Sequence, residues 1–212
     1  MLDRYSRYVP LTGVLWAVLA ILGIALGPGE TPEGDSPPFK VVHFYLAHKS
    51  EIETSGILFT IAFLALLFFA GSLRAYLRRL PAVEPLATLM LGAIVLIAAV
   101  TGIGGGIELG LAQNITHFTP QVAQGVNLVS QSVFLPVIVG GCVFGLCSGL
   151  AILRGAPLPT WLGWVAIVMG IAFLIPPAII GAFALLIVWS VVVAVLMVQR
   201  SSAVAEPSPA PA

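Results

Sequence analysis

Long runs of apolar residues, separated by short polar stretches, dominate the pattern of this 212-residue chain. A run of about 20 apolar residues in a helix crosses a hydrocarbon core of ~30 Å. The pattern predicts an all-α, polytopic membrane helix bundle, a single domain over residues 1–200. Its six predicted transmembrane helices cover residues 10–27, 51–73, 86–108, 131–153, 161–175 and 178–198.

The polar stretches predict what lies between and after these helices. Residues 28–38 consist of turn formers and acids and predict a solvated loop. Aromatic, aliphatic and basic residues mix over 39–48, which predicts a short interfacial helix in the first outer loop. The Ser-, Ala- and Pro-rich residues 201–212 predict a disordered tail.

Several helix ends carry recognisable signals. Ser50 and Glu53 form a capping-box pattern, which predicts that the second helix begins there. Thr119 and Pro120 predict the start of a helix that reaches Leu153, and Pro136 predicts a kink within it near Ser132. The pair Pro176-Pro177 divides the last apolar run into a hairpin of two helices.

Composition agrees with a lipid environment. Hydrophobic residues make up 59% and charged residues 8% of the chain, and the mean hydropathy is +1.07. An ordinary soluble domain is excluded, because its charged fraction is about three times higher. The net charge of zero offers no basic surface for nucleic acid, so the lipid bilayer is the predicted partner.

Basic residues are distributed unevenly between the two sides of the predicted bundle. The outer segments contain only Lys40 and Lys49. The positive-inside rule then predicts that the N- and C-termini both lie inside a cell membrane. The run Arg74, Arg78 and Arg79 is expected to set the orientation and to contact anionic lipid headgroups. The inner arginines are Arg4, Arg7, Arg74, Arg78, Arg79, Arg154 and Arg200.

Glycines recur at four-residue spacing in the third and fourth predicted helices. Such spacing places the glycines on one face, where a neighbouring helix backbone can approach closely. We predict that the two helices pack glycine face to glycine face, as a glycine zipper. The two sets are Gly102, Gly106 and Gly110, and Gly141, Gly145 and Gly149.

Two segments carry a resemblance to a known group of proteins: Leu73 to Arg79 reads LRAYLRR, and Leu158 to Gly170 reads LPTWLGWVAIVMG. With these segments the chain resembles uncharacterised multi-pass integral membrane proteins that are common in high-GC bacteria. The resemblance covers roughly residues 5 to 200. It implies a membrane helix bundle of the cell envelope and assigns no catalytic residue. The predicted location is a cell membrane, the bacterial inner membrane.

Candidate chemistry is sparse. Phosphate-binding, metalloprotease, nucleophile-elbow and Cys-x-x-Cys motifs are absent from the sequence, and no cofactor or metal is predicted. Glu108 is the residue we favour for a ligand or proton site, since an acid at membrane depth is costly. His43 and His117 fall on the same outer side and are its candidate partners. Solvation at the interface is the alternative role of all three.

Three hypotheses for function follow. The leading one is a non-catalytic accessory or scaffold subunit, associated with a membrane protein partner or with further copies of itself, because polar groups within the predicted spans are scarce. The first alternative is a carrier or binder of small apolar molecules or lipids through a cleft near the third and fourth helices. The second is an outward-facing membrane enzyme that uses His43, Glu108 and His117.

Overall fold

The computed structural model describes residues 8–78, 81–155 and 157–203, and this part of the chain is helical and contains no strand. Short 3-10 turns lie between several of the α-helices. The predicted all-α class is thereby confirmed. The eight α-helices of the described residues are α1 (Thr12–Ala25), α2 (Pro38–Ala47), α3 (Lys49–Leu77), α4 (Glu84–Asn114), α5 (Pro120–Ser132), α6 (Phe134–Leu153), α7 (Thr160–Ala172) and α8 (Ile179–Ala203).

Six of these helices form a closed ring. Helix α1 packs on α3, α3 on α4, α4 on α6, α6 on α7, α7 on α8, and α8 returns to α1. Phe69, Phe144 and Trp189 are the largest aromatic side chains that these helices bury almost completely. The rings of Phe144 and Trp189 meet edge to face with their centroids 5.7 Å apart, an arrangement that aromatic quadrupoles favour.

Two tryptophans connect the ring by hydrogen bonds. Trp16 Nε1 on α1 donates to Ser190 Oγ on α8 at 3.1 Å. Trp189 Nε1 donates to the carbonyl of Leu162 on α7 at 3.0 Å. A buried indole N–H needs an acceptor, so these bonds fix how α8 packs between α7 and α1.

The lengths of the apolar helices indicate a membrane protein. In the part of the chain that the structure describes, four apolar helices have 18 residues or more, and two others, Val9–Ala25 and Thr160–Ala172, are shorter. The coarse prediction of a membrane helix bundle is therefore confirmed, whereas six spans and the sidedness of the termini stay predictions. By length and composition, the four helices of the described residues able to cross a bilayer are Lys49–Leu77, Pro81–His117, Pro120–Leu153 and Pro176–Arg200.

The proline and threonine signals at helix ends are confirmed. Thr119 Oγ1 accepts a hydrogen bond from the backbone of Val122, at 3.5 Å, and so caps the start of α5. The helix predicted to run from Pro120 to Leu153 is interrupted at Val133, three residues before Pro136, and so forms α5 and α6. A 3-10 turn over Pro176–Ala178 separates α7 from α8.

The predicted capping box at Ser50 is wrong. Helix α3 begins at Lys49, its N-cap residue is His48, and no side chain caps it. The cause is the short distance from the preceding helix, since α2 ends at Ala47 and only His48 joins the two helices. Ser50 already lies within the first turn of α3.

A second, smaller cluster of buried apolar residues lies at one end of the bundle, and we call this end the cap. The cap consists of residues 28–37, α2, α5, the first turns of α3 and the last turns of α4. Helix α2 buries Val41 and Tyr45 in it and exposes Phe39. That α2 lies in the membrane interface remains a prediction. The buried apolar cluster comprises Val41, Tyr45, Ile52, Leu111, Ala112, Ile115 and Ala123.

Candidate functional site

We call the glycines at four-residue spacing on one helix its glycine ridge. The glycine ridge of α6, which consists of Gly141, Gly145 and Gly149, packs against α7. A Cβ atom on Gly145 would lie 2.6 Å from the backbone of both Ala166 and Gly170. A Cβ on Gly149 would lie 2.6 Å from the carbonyl of Gly163. The contacting face of α7 also consists of small residues, so the backbones of the two helices come into contact.

Gly141, at the other end of this ridge, packs against Phe173, the residue directly after α7. A Cβ there would lie 2.6 Å from the ring of Phe173, which is completely buried. The predicted packing of Gly141, Gly145 and Gly149 against the glycines of α4 is therefore wrong, although their role in close helix packing is correct. Their partner is the next helix along the chain.

The glycine ridge of α4 has no partner within the described chain. A Cβ atom added to Gly102, Gly106 or Gly110 would meet nothing within 4 Å. Gly102 and Gly106 are exposed, and Gly110 is partly exposed. The predicted zipper between these glycines and α6 is wrong, because the opposite face of α4 forms that contact.

The face of α4 that packs on α6 contains different residues. A Cβ on Gly140 of α6 would lie 2.6 Å from the Ile97 side chain and 3.1 Å from the carbonyl of Ala93. A Cβ on Gly104 would lie 2.8 Å from Val133. Position 104 is two residues from each of 102 and 106, which is roughly 200° around the helix axis. The four-residue ridge therefore points away from α6.

The exposed face of α4 continues along most of the helix. Gly92 and Ala99 are exposed on it, as is Ile103, whose exposed fraction is 59%. From Gly92 to Gly110 the face is about 27 Å long at the α-helical rise per residue. This length is close to the ~30 Å hydrocarbon core of a bilayer.

Glu108 lies near the buried phenol of Tyr45 in the cap, a neighbour that no sequence pattern identifies. Its side chain is partly exposed. Burial raises the pKa of the Tyr45 phenol above its ordinary value, the negative charge of Glu108 raises it further, and a hydrogen bond with Ser130 opposes the shift. Tyr45, completely buried on α2, thus lies close enough to Glu108 for the two groups to interact electrostatically.

Asn127 of α5 joins the two walls of the cap. Its side chain is 1% exposed. Tyr45 Oη donates to Asn127 Oδ1 at 3.0 Å, and Asn127 Nδ2 donates to the carbonyl of Pro32 at 3.0 Å. One buried amide therefore connects α2 to the loop of residues 28–37.

Two glutamines on the same face of α5 strengthen this attachment. Gln131 Nε2 donates to the carbonyl of Pro32 at 2.6 Å, and Gln124 Nε2 donates to the carbonyl of Ser36 at 2.8 Å. Such bonds satisfy loop carbonyls that would otherwise be buried without a donor. The polar spacing of Gln124, Asn127 and Gln131, three and four residues apart, is the sequence signal that identifies this face.

The structure does not bring the predicted site residues His43, Glu108 and His117 together in a metal cluster. His43 is exposed and lines a surface pocket of the cap, whereas Tyr45, roughly 200° around α2, faces Glu108. His117 is exposed in the turn after α4. Across residues 8–78, 81–155 and 157–203, no group of three or more His, Cys, Asp and Glu side chains is arranged to hold a metal ion.

The arginines of the described residues lie at the end of the bundle opposite the cap. Arg74 donates to Glu84 at 2.9 Å and to Thr88 Oγ1 at 3.2 Å, which joins α3 to α4. Arg78 is exposed at the end of α3. Arg79, the third residue of the predicted orienting run, lies outside the described residues.

Comparison with known proteins adds no assignment: no protein-family model, curated protein or solved structure matches the chain.

Proposed function

We propose that this protein is a non-catalytic accessory subunit of a cell membrane, whose exposed α4 face receives a transmembrane helix of another polypeptide. The observation that carries the proposal is the open ridge of Gly102, Gly106 and Gly110. Small residues at four-residue spacing are typical of faces at which membrane helices associate. The filled ridge of α6 in the same molecule is an example of that geometry.

The interior of the ring supports a non-catalytic, non-transporting role. Within the described residues the buried polar side chains are serines and one asparagine, with no buried charge. Ser148 bonds to the carbonyl of Phe144 in its own helix, at 2.7 Å. Transport of ions or polar solutes normally needs several polar groups along a path through the membrane, and the ring offers no such series.

The proposed orientation has six spans with both ends of the chain on the arginine side. The closed ring supports six spans, because the shorter α1 and α7 pack between longer neighbours that have membrane length. Arg74, Arg154 and Arg200 lie at the ends of α3, α6 and α8, as the positive-inside rule requires of the inner side. Reporter fusions after residues 35 and 155 should then report opposite sides of the membrane.

Site-specific photocrosslinking tests the proposed docking face. A photoreactive amino acid at Ile103 should give a protein adduct in native membranes, whereas the same group at Ile180 should react only with lipid. Ile180 on α8 is a suitable control because it is even more exposed, at 84% against 59%. An adduct of twice 22.1 kDa identifies a second copy of the chain, and any other mass identifies a different partner. Lipid adducts alone at both positions would contradict the proposal.

A bulky substitution provides a second, independent test. Gly106→Leu should remove the crosslink from Ile103 and leave the isolated subunit folded, because a Cβ atom at position 106 meets nothing within 4 Å. Gly181→Leu is the matched control, since a Cβ at Gly181 also meets nothing within 4 Å. Equal crosslinking in both variants would mean that the ridge does not form the interface.

A second candidate function, the binding of an apolar molecule or lipid chain, is favoured by a different feature. At the α4–α6 seam, where the sequence predicted a cleft, Gly140 packs closely on Ala93 and Ile97. An apolar groove of about 420 Å³ lies instead along α3, lined by Leu64, Phe68 and other residues. Retention of a lipid by the purified protein, lost in Leu64→Trp, would support this function, and unchanged retention would exclude the groove.

A further inference from the structure

A pocket of about 400 Å³ lies in the cap, between the loop of residues 28–37 and α2. The loop contributes the carboxylates of Glu30 and Glu33 to its lining. Helix α2 contributes Lys40 and His43, with the ring of Phe44 beside them. Acidic groups therefore line one wall, and basic groups line the other.

These charged and titratable groups are available to a ligand. Within the described residues, the two carboxylates, the lysine and His43 form no side-chain hydrogen bond or ion pair, whereas His48 and Glu51 nearby are paired at 2.6 Å. The carboxylate oxygens of Glu30 and Glu33 therefore lie more than 4.0 Å from the Lys40 ammonium nitrogen. A ligand with a positive and a negative group can join them.

The buried side chain of Asn127 holds both walls of the pocket in place. Asn127 bonds to the carbonyl of Pro32, which lies in the chain between the two acidic residues of the loop. It also accepts the hydrogen bond of Tyr45, two residues beyond His43 on α2. Because both walls are attached to one buried side chain, their spacing is set before a ligand arrives, which lowers the entropic cost of binding.

We propose that this pocket binds a zwitterion of the phosphoethanolamine class, either as a lipid headgroup or as a free solute. The carboxylates of Glu30 and Glu33 and the face of Phe44 receive the ammonium group, through charge-assisted hydrogen bonds and a cation–π contact. Lys40 and His43 receive the phosphate. The lining contains two carboxylates and one lysine, so a purely anionic ligand is disfavoured.

Titration calorimetry with two matched probes tests this assignment on the full chain in a nonionic detergent. Glycerophosphoethanolamine should bind, and glycerophosphoglycerol, which has the same phosphate but no ammonium, should bind at least tenfold more weakly. The double variant Glu30→Gln/Glu33→Gln should lose about tenfold or more in affinity for the first probe, the size expected for a charged hydrogen bond. Asp35→Asn, in the same loop but outside the pocket lining, should bind as the parent chain does.

Two results would overturn the proposal. One is equal affinity for both soluble probes, and the other is no binding of either glycerophosphoethanolamine or phosphatidylethanolamine. Native mass spectrometry after reconstitution with equal amounts of phosphatidylethanolamine and phosphatidylglycerol distinguishes the sources. Selective retention of phosphatidylethanolamine, lost in Lys40→Gln but not in Lys49→Gln, identifies a lipid headgroup. Binding of the soluble probe without lipid retention identifies a free solute.

The role of the buried amide has its own readout. Asn127→Ala should weaken binding of glycerophosphoethanolamine and increase hydrogen exchange in residues 28–37, although its side chain does not line the pocket. Gln131→Ala removes one of the two bonds to the Pro32 carbonyl and should have a smaller effect of the same kind. Unchanged affinity in both variants would show that the walls are positioned by other contacts.

Discussion

The glycine ridges of α4 and α6 have the same four-residue spacing and opposite surroundings. On α6, a Cβ atom added to Gly145 would lie only 2.6 Å from the backbone of Gly170. On α4, nothing lies within 4 Å of the corresponding positions at Gly102 and Gly106. Glycine spacing therefore marks a face suited to close approach, while the neighbour that packs on this face can belong to the same chain or to another molecule.

Among substitutions that distinguish the two ridges, the largest change in the free energy of unfolding is expected at Gly145. Gly145→Ala places its methyl group against backbone atoms of Ala166 and Gly170, which cannot move aside without shifting α7. We expect a loss of about 3 kcal/mol or more in the free energy of unfolding. Denaturation in mixed detergent micelles, followed by tryptophan fluorescence, measures it. A loss below about 1 kcal/mol would mean that α6 and α7 are not in backbone contact.

An intermediate effect is expected at Gly140, in the seam between α4 and α6. Gly140→Ala meets the Ile97 side chain at 2.6 Å, and this side chain can yield more easily than backbone. We expect a loss of about 1–2 kcal/mol in the free energy of unfolding, measured in the same way. The double variant Gly140→Ala/Ile97→Val should recover part of it, because residues in contact show coupling. Strict additivity of the two single losses would contradict a direct contact between positions 140 and 97.

The smallest effect is expected at Gly106, and it has the opposite sign. Gly106→Ala adds a methyl group where nothing within the described chain opposes it. Alanine favours the helix over glycine by roughly 1 kcal/mol, so the isolated subunit should gain up to about that amount. The same variant should weaken the crosslink from Ile103. A gain in stability without any change in crosslinking would separate the ridge from the proposed partner.

Much of the fold could be predicted because it depends on local signals. Apolar runs of membrane length identify the long helices, and prolines identify where they are interrupted, at Val133 before Pro136 and at Pro176–Ala178. Thr119 acts as the expected cap. The start of α3 could not be predicted from Ser50, because the end of the preceding helix at Ala47 decides it.

The partner of each glycine ridge could not be predicted, since periodicity identifies which residues share a face but not how the helix is rotated in the bundle. Gly104, between two residues of the ridge, is the glycine that faces Val133 across the seam. The candidate site was only partly predictable for the same reason. The sequence identifies Glu108 as a candidate, but its neighbour Tyr45 and the amide of Asn127 come from distant parts of the chain.

Ring closure has a consequence for the biogenesis of the protein. Helix α1 leaves the ribosome before α8, because the Ser190 hydroxyl that accepts the hydrogen bond of Trp16 is synthesised 174 residues later. One flank of α1 must therefore stay uncovered, or be shielded by an insertion factor, throughout translation of the intervening helices. Ribosome-stalled chains that end before α8 should keep Trp16 accessible to quenchers in the lipid phase, and release of the finished chain should bury it.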